Sequence, residues 1–440
     1  MDLLIRGGTL VTMDPNRRVF QGDLLVRGGR IVGVGKIIRD RPARLIDARG
    51  CAVLPGLVQA HVHLCQTLFR GMADDLPLLR WLKTRIWPLE AAHDRASLRA
   101  SADLGLAEMI AGGTTTILDM GTVHHHDVVF QAMRRSGIRG FSGKAMMDRG
   151  KGVPAGLREN TRESLRESAQ LCERWHGAED GRLGYAFAPR FILSCSPRLL
   201  KETARLARES GALLHSHAAE HADERRAVKA ELGIDDIEAL ARSGLSGEDT
   251  ILAHGVQLRD GEMKKMARAG TRIVHCPSAN LKLASGIAHV PRMQAAGLVV
   301  GLGSDGAPCN NRHDGFTELR QAALLAKAKT DDAAALSAMD ALALGTSDGA
   351  KALGIDDEVG SLEVGKKADV AVVGLGDLHS EPGGDAVGRL VYSASPADVR
   401  HVLVDGRLLL KDRVLQTIDR EATLKAAKTQ GRRLQRRAGI

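Results

Sequence analysis

The chain of 440 residues, with 44% hydrophobic residues and a formal net charge of +9, is too long for one small core and predicts a large α/β domain with a smaller one. No apolar run reaches the roughly 18 residues of a membrane span, and the acidic start Met-Asp argues against a signal peptide, so we expect a cytoplasmic protein without membrane contact. The six cysteines form no Cys-x-x-Cys pair, which favours a reduced protein over a disulfide framework.

The first 55 residues predict short β-strands, at 3–5, 9–13, 19–26 and 30–34. Gly-Gly pairs at 7–8 and 28–29 are expected to supply two of the turns. The same pattern returns at 368–373 and 399–406. Because β-rich ends flank a different middle, we expect residues 1–55 and 359–418 to form one small β-sandwich domain.

The middle of the chain, residues 56–358, alternates apolar strand runs with amphipathic helical stretches. Helical periodicity is seen, for instance, at 160–176, 198–210, 260–269 and 315–329. Eight strand runs are predicted, at 57–63, 114–119, 138–145, 183–188, 212–217, 250–254, 271–275 and 299–305. Eight successive β–α units predict a (β/α)8 TIM barrel rather than a doubly wound sheet, and the chemistry of such barrels lies at the carboxyl ends of the strands.

Histidine or aspartate falls at the ends of five predicted strands. The first strand ends at His61 and His63, the fifth at His215 and His217, the sixth at His254, the seventh at His275 and the eighth at Asp305. Two imidazoles from the first strand, one from the fifth and the Asp305 carboxylate give three nitrogens and one oxygen with room for water. Such a set is typical of a catalytic rather than a structural zinc-type site. Glu220 follows three residues after His217, where its carboxylate is close to the metal but free to move protons.

Other motifs do not fit their context. Residues 301–306 match G-x-G-x-x-G by letter, but no helix start follows them, so a dinucleotide site is not expected. The chain lacks H-E-x-x-H, and it lacks the second cysteine of the cytidine-type deaminase pattern after Cys309. The tract His124–His126 is either a surface tract or a contributor to the pocket.

Longer segments carry a further pattern: Pro55-Gly-Leu with the His-Val-His that follows, Asp75-Leu-Pro-Leu-Leu-Arg-Trp-Leu, Ile86-Trp-Pro-Leu-Glu90, His217-Ala-Ala-Glu220, Ala253-His-Gly, the run from His275 to Gly286, Gly303-Ser-Asp-Gly, and the run from Gly360 to Asp369. Together they resemble the amidohydrolase superfamily over nearly the whole chain. Within it they resemble the aminohydrolase branch of methylthioadenosine/S-adenosylhomocysteine deaminases, guanine deaminases and triazine hydrolases.

The resemblance implies a hydrolytic deaminase of a small heterocyclic substrate, acting as a homo-oligomer. It implies one divalent metal ion per chain, zinc or else iron, on four side chains: His61, His63, His217 and Asp305. In this scheme His254 orients the attacking water, Glu220 protonates a ring nitrogen, and Asp305 returns a proton to the leaving amine.

The substrate ring stays open between two possibilities. Glu90 and Trp87 favour an adenine nucleoside, such as 5′-deoxyadenosine, methylthioadenosine or S-adenosylhomocysteine. Arg190, in a Pro-Arg-Phe segment resembling that of guanine deaminases, and Gln66 favour guanine or 8-oxoguanine; a triazine or pterin aminohydrolase belongs to the same alternative.

Three competing functions have weaker support. A dinuclear cyclic-amide hydrolase of the same fold needs a lysine at the end of the fourth strand, where this chain has Arg190; the nearest candidate, Lys144, lies in the third strand. A non-catalytic scaffold should have lost a ligand, yet all are present. Nucleic-acid binding rests only on residues 419–440, which carry seven Lys/Arg against Asp419 and Glu421. We expect this tail to be a solvated basic C-terminal helix, without a nucleic-acid partner.

Overall fold

Two nine-stranded sheets and seventeen α-helices make up the part of the chain that the computed structural model describes, residues 2–39, 42 and 44–440. The strands are β1 (Leu3–Val11), β2 (Val19–Arg27), β3 (Arg30–Gly35), β4 (Arg44–Asp47), β5 (Cys51–Pro55), β6 (Leu57–Val62), β7 (Thr114–Met120), β8 (Arg139–Gly143), β9 (Ala145–Met146), β10 (Leu183–Pro189), β11 (Leu213–Ala218), β12 (Thr250–His254), β13 (Arg272–His275), β14 (Val300–Leu302), β15 (Val370–Gly374), β16 (Val399–Val404), β17 (Arg407–Lys411) and β18 (Val414–Leu415).

The helices are α1 (Leu78–Trp81), α2 (Trp87–Ala91), α3 (Arg95–Ala111), α4 (Asp127–Ser136), α5 (Thr161–Trp175), α6 (Pro197–Ser210), α7 (Ala222–Leu232), α8 (Asp236–Arg242), α9 (Asp260–Ala269), α10 (Pro277–Lys282), α11 (Val290–Ala295), α12 (Ala307–Asn310), α13 (Gly315–Thr330), α14 (Ala338–Leu344), α15 (Ser347–Leu353), α16 (Ala386–Tyr392) and α17 (Arg420–Ala438). A π-helical turn lies at Leu82–Ile86, and short 3-10 helices lie at Leu64–Phe69, Ala155–Leu157, Ile192–Ser194 and Pro396–Asp398. None of the described helices is both long and apolar enough to cross a membrane.

The first sheet is a barrel. Its strands pair in the order β6, β7, β8, β10, β11, β12, β13 and β14, and every pair is parallel. The ring closes beyond β14, where the Asp305 amide donates a hydrogen bond to the His61 carbonyl at 3.0 Å. Strands β7 and β10 bury every residue, as parallel strands covered on both faces do. The predicted (β/α)8 TIM barrel is confirmed.

Two of the predicted barrel strands differ from the structure. The third strand is interrupted at Lys144 and continues as β9, which pairs with β10. The eighth strand ends at Leu302 and not at Asp305. A side chain at Gly303 would come within 2.6 Å of the His61 carbonyl oxygen, so the chain passes tightly against His61 at this point. Asp305 then adopts a left-handed φ of 61°, which no regular strand allows.

The second sheet joins both chain ends, as predicted, because β1–β5 pair with β15–β18 in one mixed sheet. Its strands follow the period of two that a pleated strand imposes. In β15, Val370 and Val372 point into the core of this domain, whereas Ala371 and Val373 belong to the core that also contains the barrel residues. The sheet is therefore packed on both faces, one of them against the barrel.

The two Gly-Gly pairs behave differently. Gly28 and Gly29 form the predicted β2–β3 turn, with φ of 56° and 82°. The pair at 7–8 does not form the predicted turn. Strand β1 runs through it, and the pairing with β2 shifts between Ile5 and Gly8. An extra residue in one strand makes a β-bulge there, so one long strand replaces two short ones.

A buried ion cluster fastens the sheet domain to the barrel. Arg139, at the start of β8, donates to both carboxylate oxygens of Asp369, from Nε at 2.7 Å and from Nη2 at 3.1 Å, and it also pairs with Asp405. Asp369 in turn accepts the Asp405 amide at 2.8 Å. Arg139 and Asp369 are each only 4% exposed, so each charge depends on the other for compensation.

The basic C-terminal tail forms helix α17, which packs on α3. It buries Ala427, Gly431 and Leu434. Its final turn is held by Arg437, whose Nε donates to the Ala92 carbonyl at 2.8 Å and which pairs with Asp94 at 3.1 Å. The tail is thus a docked part of the barrel surface.

Replacing Arg139 by Met should destabilise the protein by about 3–5 kcal/mol, because it leaves the buried Asp369 carboxylate without a compensating positive charge. Chemical denaturation followed by circular dichroism measures this change. Arg205→Ala is the control, since it removes only exposed ion pairs with Glu202 and Glu209, and it should leave the midpoint unchanged. Equal midpoints for the two variants would contradict the assigned role of the cluster.

Candidate active site

Six ionisable side chains gather at the carboxyl end of the barrel. They are His61, His63, His217, Glu220, His254 and Asp305, contributed by or just after β6, β11, β12 and β14. All are at least nine-tenths buried except His217, which is half-buried. The sequence had predicted that the reactive side chains meet where the strands end, and the barrel brings these six together at that end.

The three histidines of the predicted ligand set each have one ring nitrogen committed to a fixed partner. His63 Nδ1 donates to the Met120 carbonyl at 2.7 Å, and His217 Nδ1 donates to the Arg190 carbonyl at 2.7 Å. His61 Nδ1 lies 2.8 Å from His215 Nε2. His215 donates its own Nδ1 proton to the Ile251 carbonyl at 3.1 Å, so its Nε2 must accept the proton of His61. All three rings therefore present an unprotonated Nε2.

These Nε2 atoms converge with the carboxylate of Asp305. His61 Nε2 and His63 Nε2 lie 3.3 and 3.4 Å from Asp305 Oδ1, and His63 Nε2 lies 3.3 Å from His217 Nε2. Burial, followed by the charges of neighbouring groups, keeps the pKa of all three imidazoles well below its usual value. Burial opposes ionisation of Asp305, but the adjacent histidines outweigh it and keep the Asp305 pKa below its usual value.

This donor set fits a divalent metal ion. His61 Nε2 is buried and has no hydrogen-bond partner among the described residues. Two unprotonated nitrogens that face each other at 3.3 Å repel unless a cation lies between them. Neutral imidazoles and an ionised carboxylate are the protonation states that metal binding requires. Three nitrogens with one oxygen suit zinc and leave room for a further ligand.

Glu220 and His254 face each other beside this cluster, with Glu220 Oε2 at 3.6 Å from His254 Nε2. His254 Nδ1 donates to Asn280 Oδ1 at 3.0 Å, which leaves Nε2 as a proton acceptor. Burial, and then the charge of Asp305, raise the pKa of Glu220 well above its usual value. Glu224 accepts the Glu220 amide at 3.1 Å, and burial raises the pKa of Glu224 to about 8. Both carboxyl groups therefore keep a proton to higher pH than an exposed glutamate does.

A cavity opens over this cluster. Gln66 and Arg190, both predicted to contact substrate, lie in its wall. The remaining wall is largely apolar and comes from Leu78, Trp81, Leu82, Phe191 and Leu283. Such a wall, with a few polar groups, suits a flat heterocycle.

The other two predicted substrate residues, Glu90 and Trp87, are not among the residues of the cavity wall. Glu90 lies behind it, 2% exposed, where its Oε1 accepts Gln66 Nε2 at 2.8 Å and its Oε2 pairs with Arg190. Trp87 is buried, and Trp81 contributes to the wall instead. The π-helical turn Leu82–Ile86 separates the two tryptophans and changes the helical register between them.

Several histidines from the sequence analysis lie outside the cavity wall. His126 is buried, with Nε2 at 2.9 Å from Ser142 Oγ, and His124 Nε2 donates to the Gly156 carbonyl at 2.9 Å. His275 is buried near His254. Sequence reasoning assigned no role to His215, Glu224 or Asn280, although Asn280 belongs to a quoted motif. Their contacts join different strands and helices, which no local spacing reveals.

Comparison with known proteins agrees with this geometry. The amidohydrolase family matches residues 52–409. A 5-methylthioadenosine/S-adenosylhomocysteine deaminase of Halobacterium salinarum is 40% identical and covers 99% of both chains. A 5′-deoxyadenosine deaminase of Methanothermobacter thermautotrophicus is 38% identical and covers 97% of both. The crystal structure of an adenosine deaminase from Xanthomonas campestris with bound zinc superposes with a TM-score of 0.93 at 34% identity, covering 99% of both chains.

His215→Ala should weaken metal binding by about 10–100-fold, because His61 Nδ1 loses the acceptor that fixes its tautomer. Competition with a chromogenic chelator measures the affinity. His176→Ala is the control, since His176 Nδ1 accepts the Tyr185 amide at 3.1 Å and the ring belongs to no cluster of potential metal ligands among the described residues. The role of His215 is contradicted if both variants retain metal as the parent protein does.

Proposed function

The chain belongs to the amidohydrolase family, and we propose that it is a metal-dependent deaminase that replaces the amino group of an adenine nucleoside by oxygen and releases ammonia. The observation that carries the proposal is the convergence of three unprotonated imidazole nitrogens on the Asp305 carboxylate, with Glu220 and His254 beside them. Replacement of an aromatic amine needs a nucleophile, a proton for the ring and a proton for the departing ammonia. These side chains can provide the proton transfers.

The proposed metal is one divalent ion per chain, held by His61, His63, His217 and Asp305. Zinc is the expected ion, and iron is the alternative. The donor set and the zinc bound by the Xanthomonas campestris structure support this assignment. When bound, the ion supplies a Lewis acid that makes water a stronger acid at neutral pH.

The chain's own residues then divide the proton transfers. His254 and Asp305 accept the proton of the attacking water and aim its oxygen at the amine-bearing carbon. Glu220, protonated because of its raised pKa, gives a proton to the adjacent ring nitrogen and makes that carbon more electrophilic. The carbon–oxygen bond forms, Asp305 returns the water's proton to the leaving amine, and the carbon–nitrogen bond breaks. The remaining hydroxyl proton returns to Glu220 as the carbonyl of the product forms.

A dinuclear centre has less support. It needs a lysine after the fourth barrel strand, where β10 is followed by Arg190. The buried Lys144 is paired with Glu159 and lies within 3.4 Å of Ser164 Oγ. Lys144 is not among the residues of the cavity wall.

The adenine nucleoside is favoured by relatives that are 38–40% identical over nearly their whole length and are named for such substrates. Glu90 is the candidate for ribose recognition. Because Gln66 and Arg190 occupy its two oxygens, Glu90 must share or exchange these partners to bind a ribose hydroxyl.

One observation favours a second candidate, a guanine-type base. Gln66 Oε1 is a buried acceptor with no hydrogen-bond partner among the described residues, and Arg190 is a donor in the same wall. An acceptor next to a donor matches a ring lactam, which offers N–H beside C=O. Adenine lacks that pair, whereas guanine and 8-oxoguanine have it.

A cytoplasmic location and a homo-oligomeric state complete the proposal, without a nucleic-acid or membrane partner. All six cysteines are free thiols, and five of them are buried. Free thiols throughout a chain are typical of proteins in a reducing compartment.

The substrate is tested by ammonia release from metal-loaded protein on a panel of adenosine, 5′-deoxyadenosine, methylthioadenosine, S-adenosylhomocysteine, guanine, 8-oxoguanine and an aminotriazine. We expect turnover of the adenine nucleosides. Turnover of guanine or 8-oxoguanine alone would replace this substrate by the lactam-bearing base. No turnover by protein with a full complement of metal would contradict deamination itself.

Glu220→Gln should retain metal but lose a factor of about 10²–10⁴ in kcat, because the amide cannot give the ring a proton. Elemental analysis and initial rates measure the two effects separately. His217→Ala is the paired variant, and it should lose metal together with activity. Near-normal turnover by Glu220→Gln would remove this residue from the proton transfers.

A further inference from the structure

We propose that Glu318, on helix α13 outside the cavity, is a positioning residue that holds His254 and Asp305 in one fixed relation. The proposal rests on the deaminase function proposed above, which gives these two side chains their roles. Glu318 is 1% exposed and is not among the residues of the cavity wall. It therefore acts through other residues, and its contacts show which ones.

The two side chains need such support because their backbones are strained. His254 has φ of 79° and Asp305 has φ of 61°, in the left-handed region that residues other than glycine rarely adopt. Such conformations are unfavourable and persist only where the surroundings fix them. His254 ends β12, where it pairs with Ala218, and Asp305 follows β14, where it pairs with Val62. This pairing holds the two backbones on the barrel but does not orient the two side chains.

Glu318 uses both carboxylate oxygens to bind two different segments. Oε1 accepts a hydrogen bond from Asn310 Nδ2 at 2.9 Å, and Oε2 accepts the Ser278 amide at 3.1 Å. Asn310 ends helix α12, which follows the Asp305 turn, and Ser278 lies in helix α10, which follows β13. One carboxylate thus joins the elements after the seventh and eighth barrel strands.

The first connection reaches Asp305. Asn310 Nδ2 also donates to the Ser304 carbonyl at 2.7 Å, and the Asn310 amide donates to the Gly306 carbonyl at 3.1 Å. Asn310 therefore holds the residues on both sides of Asp305. Glu318 Oε1 fixes the amide group of Asn310 that makes the first of these bonds.

The second connection reaches His254. Helix α10 carries Asn280, whose Oδ1 accepts His254 Nδ1–H at 3.0 Å and so selects the tautomer with a free Nε2. Glu318 anchors the same helix two residues earlier, at the Ser278 amide. A shift of α10 would move Asn280 and turn the imidazole away from Glu220.

The arrangement requires a carboxylate, because both of its partners are donors. A glutamine of the same size accepts only one of these bonds and places its own N–H group against the other donor. Glu318→Gln therefore disturbs one branch with little change of volume. Asn310→Ala removes the bonds to Glu318 and Ser304 from the other side.

The test compares the parent protein, Glu318→Gln and Asn310→Ala, all metal-loaded, with Asp369→Asn as a matched control. Asp369 is also a buried carboxylate that accepts several hydrogen bonds, but it lies between the two domains. The readouts are kcat, KM, metal release to a chelator and the unfolding midpoint. For Glu318→Gln and Asn310→Ala we expect kcat to fall by about 10–100-fold, since small displacements of reacting groups cost this much.

KM should stay within about threefold, because Gln66, Arg190 and the apolar side chains of the cavity wall are untouched. Metal release should be faster by about 10–100-fold, because Asp305 is displaced from the other ligands. Asp369→Asn should lower the unfolding midpoint while kcat and metal release stay at the parent values. A merely structural role of Glu318 predicts the same pattern as Asp369→Asn.

Either of two results overturns the proposal: parent-like kcat and metal release in both test variants, or losses that match the control. Should Glu318→Gln fail to fold, Asn310→Ala alone decides by the same criteria. The metal readout separates the two proposals. Accelerated metal release from the variants supports the positioning role of Glu318 even if the parent protein deaminates nothing on the panel. A parent protein that deaminates nothing overturns only the proposed function.

Discussion

The site depends first on a geometric constraint: three unprotonated imidazole nitrogens must point at one carboxylate inside a closed barrel. Each ring is held by a backbone carbonyl of a neighbouring strand or loop, directly from Met120 and Arg190 and, through His215, from Ile251. The Asp305 amide that closes the barrel donates to the carbonyl of His61, itself a candidate ligand. Formation of the parallel sheet and orientation of the ligands are therefore the same event. A change of register between β6 and its neighbours would remove the site together with the barrel.

The polar part of the cavity wall shares a residue, Arg190, with the contacts that orient the candidate metal ligands. The Arg190 carbonyl orients His217, while its guanidinium faces the cavity and pairs with Glu90. Burying a charged pair is costly unless the geometry and further hydrogen bonds compensate, and Gln66 provides one such bond to Glu90. A substrate group that binds Arg190 must compete with Glu90 or extend the same network. Arg190 therefore has two roles, since its guanidinium is available to the substrate ring and its carbonyl orients His217.

The barrel and the positions of the candidate metal ligands were largely predictable from the sequence, because strand ends are local features. The apolar runs stop at His61, His217 and His254, and parallel barrel topology brings those ends to one rim. Local sequence patterns could not predict which residues far apart in the chain contact each other. Glu90 and Arg190 are a hundred residues apart, and either side chain alone suggests a substrate contact; only the fold makes them partners behind the wall. The choice of Trp81 over Trp87 depends on a π-helical turn, which residue periodicity does not reveal. The bulge at Gly7-Gly8 likewise depends on β2, since the same dipeptide elsewhere makes a turn.

The same long-range contacts explain why the outer helices are part of the site. Three left-handed residues lie at or beside the reacting groups: Ala219 before Glu220, His254 and Asp305. Each is held by a polar side chain from a helix outside the strands: Asp236 of α8 accepts the Ala219 amide at 2.8 Å, Asn280 of α10 accepts from His254, and Asn310 of α12 fixes the residues around Asp305. Backbone strain at functional positions persists only when such contacts over-determine it. The helices therefore do more than cover the sheet, because their buried polar groups maintain conformations that the strands alone would not keep. An apolar residue at these positions could improve local packing, but it would release the strained backbone on which the arrangement of the reacting groups depends.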